Sequence, residues 1–299
     1  MIRTNLLRSI VAFALFPTAS LFADAAPNAS QIEYWRPIMD APQETFWDAR
    51  FGWVFPSKSD SKTWGSVSMI ELSAWGSLMY WETAQQADFD VRGKWDSYVL
   101  QGFDGTGSGY PMTAARISMQ YSQRIAHNYG LRLRVEPGLY TAFEGLSSKD
   151  FGIPFGILGT YDASERVGAI LGANVYPGFD HVVDPEIGIR FVPDEVISMH
   201  LGYPETRIKF RPYEDVGLDV GTRFLLWPEF QMDEDDARKR IMYDEARVFG
   251  EFSWTRNRLS RWYIQLGYAF NREIDFEEVE GPVDIDNNFY IRFGLGGLL

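Results

Sequence analysis

The chain has 299 residues, 41 Asp+Glu against 28 Lys+Arg, a net charge of -13 and no cysteine. The acidic excess argues against nucleic acid as a partner, because phosphates need a basic surface. The missing thiols exclude disulfides, thiolate metal sites and cysteine nucleophiles.

Residues 1–25 have the layout of an export signal. Arg3 and Arg8 supply its positive start, Ile10 to Phe16 its apolar stretch, Pro17 the break, and Ala23-Asp24-Ala25 a small-x-small cleavage site. That stretch is too short for a retained membrane helix, and no later one approaches the ~18 apolar residues such a helix needs. The mature chain is expected to begin near Ala26, with residues 26–44 a polar, proline-containing lead-in and 45–299 the folded domain.

From Thr45 onward apolar and polar residues alternate, the period of a strand with one greasy and one wet face. Thr45 to Phe55 is a weak strand candidate, and Ser66 to Trp81 is a longer one with imperfect period. Phe89 to Leu100 follows, then a glycine-rich stretch from Gln101 to Gly109. In Ala115 to Arg124 and Leu131 to Tyr140 the alternation is clean, and His127-Asn128-Tyr129-Gly130 suits a tight hairpin between them. Ile153 to Tyr161 and Val167 to Tyr176 pair across Asp162 to Glu165, and short strands follow around Ile189, Met199, Ile208 and Val220. The acidic stretch Asp233 to Asp236 precedes Ala246 to Trp254, and the turn at Asn257-Arg258 leads to the clearest strand, Arg261 to Phe270. In that strand Trp262, Ile264, Leu266, Tyr268 and Phe270 oppose mostly polar or small neighbours. A second acidic stretch, Glu273 to Asp286, leads to the last strand, Phe289 to Leu299.

Aromatic content of 16% and 27 glycines, with a mean hydropathy of only -0.21, fit strands that face lipid on one side and a polar lumen on the other. Connections alternate in length, short near Asn128, Ala163, Asp194, Tyr213 and Asn257, longer near Asp104, Leu146, Phe179, Asp233 and Val279. A β-sandwich would bury the apolar face and has no reason for this alternation. The predicted fold is therefore all-β: an antiparallel transmembrane β-barrel of about 12 to 14 strands, with short periplasmic turns and longer outer loops. Closure favours an even number, and reading Gly202-Tyr203-Pro204 as a tight loop makes the total about 14.

Three stretches carry more than periodicity: Tyr203-Pro204-Glu205-Thr206-Arg207-Ile208-Lys209-Phe210-Arg211 with Val216 to Gly221, Arg247 to Glu251 through Gly267 to Glu273, and Glu136-Pro137-Gly138. They resemble elements of an uncharacterised bacterial outer-membrane β-barrel family, domain of unknown function 6268. The resemblance runs from about Ser66 onward and implies an outer-membrane barrel in a Gram-negative-type envelope. It brings no catalytic or ligand residues.

Three histidines are present, His127, His181 and His200. His200 shares a wet face with Ser198, but positions i and i+2 on a strand sit about 7 Å apart. No third residue completes a nucleophilic triad, so no enzyme is expected. The carboxylates Asp233 to Asp236, with Asp275, Glu277 and Glu278, offer the oxygen ligands that Ca²⁺ prefers, without the spacing of a calcium loop. No cofactor is expected. The expected partners are outer-membrane lipid, lipopolysaccharide and, during biogenesis, barrel-assembly machinery.

The wet faces carry the candidate lumen residues: Arg116, Arg132, Arg134, Glu136, Arg190, Arg207, Arg211, Asp219, Arg223, Arg247, Glu251, Arg261 and Arg292. Two readings follow. The arginines line a pore that prefers anions, or they pair with Glu136, Glu186, Asp219 and Glu251 inside a closed barrel, because buried charges need partners.

Overall fold

The computed structural model describes residues 47–60, 65–82, 87–101, 109–141, 150–179, 182–213, 215–226, 230–234, 237–256, 260–276 and 282–297. The expected export signal, the lead-in and the start of the first strand at Thr45 lie outside the described residues, as do His181, Asn257 and Leu299.

Fourteen strands form one closed antiparallel barrel. They are β1 (Trp47–Lys58), β2 (Ser66–Glu82), β3 (Ala87–Gln101), β4 (Gly109–Ala126) and β5 (Tyr129–Val135 continued by Gly138–Thr141). β6 (Phe151–Gly152 and Phe155–Ser164), β7 (Val167–Val175), β8 (Val183–Phe191), β9 (Ile197–Tyr203) and β10 (Glu205–Tyr213) follow. The last four are β11 (Val216–Leu226 and Phe230–Glu234), β12 (Ala237–Arg256), β13 (Ser260–Phe276) and β14 (Val283–Ile285 and Asn288–Gly297). β1 pairs with β14 from Trp47↔Gly297 to Val54↔Tyr290, so no edge strand is left with unpaired backbone.

Consecutive strands are joined at one end by residues 83–86, 127–128, 165–166, 192–196, 214–215 and 257–259. At the other end the connections include 59–65, 102–108, 142–150, 176–182 and 277–282, all longer. Pro204 alone joins β9 to β10 at this long-loop end, through a cis Tyr203–Pro204 bond, which keeps the alternation of ends intact.

The acidic stretch at Asp233 is shorter than a long loop. β11 continues to Glu234 and β12 starts at Ala237, so Asp233 and Glu234 belong to the strand, while Asp235 and Asp236 lie outside the described residues. In the second acidic stretch, the residues up to Phe276 belong to β13 and Val283–Ile285 to β14. β6 also runs through Asp162 to Ser164, which places its turn at 165–166.

Phe51, Trp53, Leu218, Val220, Phe252, Leu266 and Phe293 are exposed on the outer surface, the band expected to face hydrocarbon. Aromatic pairs mark both rims of this band. Tyr129 and Tyr161 pack at 5.0 Å at the short-turn end, and Tyr268 and Phe289 at 5.1 Å towards the other. No helix among the described residues is long and apolar enough to cross a membrane.

Candidate functional site: the barrel interior

An eight-stranded barrel is filled by its own side chains, while 16 or more strands leave an aqueous channel. Fourteen falls between, so the side chains that reach inward decide what space remains. The inner face carries both a network of charged side chains and an apolar cluster, which meet at Tyr243.

On the flank formed by β1, β2 and β12–β14 the inner charges are packed tightly together. Glu71 of β2 reaches across to Arg247 of β12, with Arg247 Nη1 to Glu71 Oε2 at 3.1 Å, and also accepts from Arg292 of β14 at 2.5 Å. Arg247 makes a second ion pair with Glu245, whose other oxygen accepts from Tyr243 at 2.8 Å. Arg272 donates to Tyr243 at 3.0 Å and to Ser57 at 2.5 Å. Arg292 and Tyr290 share Gln265 Oε1 at 3.3 and 3.1 Å, and Gln265 donates to Glu251 at 3.1 Å. Arg261 pairs with the same Glu251 at 3.1 Å. Gly52 is what lets Glu71 lean inward: a Cβ there would lie 2.8 Å from Glu71 Oε2.

On β3–β5 the inner charges converge on Glu136. Lys94 reaches it at 2.7 Å, Ser118 at 2.8 Å, and Arg116 and Arg134 at 3.8 Å. Arg116 also pairs with Asp96, and Arg134 donates to Asn174 of β7 at 2.6 Å. Arg132 is half-buried on the same face of β5 as Arg134. Arg190 of β8 bonds Asp162 of β6 at 2.7 Å.

On β10 and β11, Arg207 bridges Glu205 at 2.6 Å and Asp219 at 3.2 Å. Arg211 also pairs with Asp219, and Arg223 reaches Glu205 at 2.7 Å. Glu186 lies half-buried on the inner face of β8. Asp219 sits low against the wall at 2% exposed, while the side chain of Arg211 above it is 34% exposed; Glu205 and Arg223 are alike at 25% and 26%.

The long-loop half of the interior holds an apolar cluster of Val54, Val67, Met69, Leu100, Met112, Tyr140, Phe230, Ile241, Tyr243 and Ile274. Phe230 is the piece that closes it. The second segment of β11 pairs with β12 from Phe230↔Ile241 to Glu234↔Ala237, and its Gln231 also forms a parallel backbone bridge with Thr141 of β5. Phe179 packs edge-on against Tyr140 at 5.3 Å.

No protein-family model matches the chain, and no curated protein does. Solved structures similar to it include an outer-membrane channel from Pseudomonas putida F1, at TM-score 0.49 and 10% identity over 92% of this chain and 100% of that one. A TodX monoaromatic hydrocarbon channel deltaS2 mutant has TM-score 0.49 and 10% identity over 91% of this chain and 94% of its own. The NanC porin has 0.40 and 10% over 85% and 100%. The barrel resembles outer-membrane porin and channel folds. At these identities the likeness concerns the barrel alone.

Sequence reasoning did not single out Glu71, Glu245, Arg272, Lys94 or Asp162. Glu71 lies in the strand whose period is imperfect, because inward Val67 and Met69 belong to the apolar cluster rather than to a wet face. Glu245 and Arg272 lie outside the predicted strand stretches. Ser198 and His200 both lie half-buried on the inner face of β9, with His200 against Gly188, where a Cβ would come within 2.7 Å of the imidazole. Among the described residues no group of three or more His, Asp or Glu could hold a metal ion. The side chains of Asp233 to Asp236, Glu277 and Glu278 lie outside that description.

Proposed function

We propose that the protein is a passive outer-membrane channel that prefers small anionic solutes. The observation that carries this reading is the vertical ordering of charge on the inner wall of β3–β5 and β10–β11. Glu136 and Asp219 are buried at 8% and 2%, and their partners Lys94, Arg134 and Arg211 are more exposed, with side chains at 24%, 28% and 34%. A solute there meets ammonium and guanidinium groups first, in a chain whose net charge is -13. Rings of one sign in a narrow, low-dielectric passage select ions of the other sign. Reversal potentials of the refolded protein in planar bilayers under a KCl gradient test this. Chloride preference is the expected outcome, and cation preference would overturn it.

A second reading has its own support. The apolar cluster around Phe230 occupies the long-loop half, which suits a non-conducting barrel serving envelope structure or ligand attachment. Absence of current steps from the full chain at any salt, with steps appearing once Phe230–Arg240 are replaced by a Gly-Ser link, would favour it. In either reading the barrel lies in the cell outer membrane after cleavage of the export signal, among lipid and lipopolysaccharide, and is inserted by barrel-assembly machinery. Membership of the domain of unknown function 6268 family is part of the same proposal and rests on the Tyr203 to Glu273 stretches.

A further inference from the structure

Lys209 differs from the other inner-wall cations described above. It lies half-buried on β10 between Arg207 and Arg211, and both of those arginines hold Asp219 of β11. Asp219 is also Lys209's partner in register, but its two oxygens are already taken and its side chain is 1% exposed. No carboxylate among the described residues lies within ion-pair distance of Lys209 Nζ. On the other side Lys209 stands opposite Ser198 of β9, and Arg207 stands opposite His200. Side chains directly opposite on neighbouring strands start about 5 Å apart at Cβ, so the ammonium and the Ser198 hydroxyl can converge on one small group. His200 Nδ1 is buried and has no hydrogen-bond partner. Three cations, a hydroxyl and an imidazole thus share one patch of wall with two carboxylates, Asp219 and Glu205, both already held by the arginines.

We infer that Lys209, Ser198 and His200, flanked by Arg207 and Arg211, form a binding subsite for the oxyanion head of a small solute, a phosphate or carboxylate group. The subsite deepens the channel reading and rests on it only in supposing that solutes reach this wall. Lys209 supplies the uncompensated charge, and the neighbouring donors satisfy the remaining anion lone pairs.

The test uses the refolded full chain with inorganic phosphate and acetate as probes. In bilayers, millimolar phosphate should reduce the chloride current in a saturable way. In Lys209→Met the half-blocking concentration should rise at least about tenfold, as expected for loss of one charged hydrogen-bond donor. Ser198→Ala should raise it less, and Lys58→Met should leave it unchanged. In detergent, phosphate should raise the Tm of the wild type and of Lys209→Arg but not of Lys209→Met. Acetate acting as strongly as phosphate would assign the carboxylate class, and phosphate acting alone the phosphoryl class. A wild type that conducts but shows neither block nor Tm shift, or shows both unchanged in Lys209→Met, overturns the subsite. A wild type that carries no current but keeps a Lys209-dependent Tm shift overturns the channel reading and leaves the subsite standing.

Discussion

Arg247 on β12 and Lys209 on β10 both point into the barrel, and their surroundings differ sharply. Arg247 is 1% exposed, held by Glu71 of β2 and by Glu245 two residues away, with Tyr290 beneath it at 4.5 Å. Lys209 is half-buried and has no acidic partner of its own among the described residues. The first flank uses charge as a structural tie, because desolvated ions must be matched nearly one for one. The second flank keeps its cations wet, so they remain available to a solute at small cost to the fold.

If that contrast is right, stability and selectivity should separate by flank. The largest effect is expected for Arg247→Met, which leaves Glu71 and Glu245 short of their shared partner in a dry site. About 3–5 kcal/mol should be lost in urea unfolding of the lipid-reconstituted barrel, as for other broken buried pairs. Gly52→Val comes next, since the added side chain must displace Glu71 Oε2, which would lie 2.8 Å from the new Cβ. Overpacking of this kind costs about 1–3 kcal/mol by the same measurement. The smallest stability change belongs to Arg223→Gln, whose ion pair with Glu205 is partly in water; under ~1 kcal/mol is expected. Arg223→Gln should nevertheless shift the reversal potential towards cations, whereas Gly52→Val should not. A large stability loss in Arg223→Gln, or an unshifted reversal potential, would erase the distinction between the flanks.

Much of the wall was legible from residue order. Ala115 to Arg124, Leu131 to Tyr140 and Arg261 to Phe270 alternate cleanly because their inner sides are polar or small and their outer sides apolar. The tight reading of Gly202-Tyr203-Pro204 also led to the fourteen strands that close the barrel. The long-loop ends of β1–β4 and the β11–β12 hairpin were not legible in the same way. Val54, Val67, Met69, Leu100, Met112, Phe230 and Ile241 are apolar and face inward, so both faces of those strands are greasy and the period-two signal vanishes.

Local sequence was enough for an antiparallel barrel, since side-chain alternation is a property of each strand alone. It could not pair the charges. Glu71 and Arg247 are 176 residues apart and meet only because closure brings β2 near β12, and Gln231 meets Thr141 of β5 only in the closed barrel. Which arginine is locked in an ion pair and which cation stays open to the lumen is therefore a property of the closed barrel.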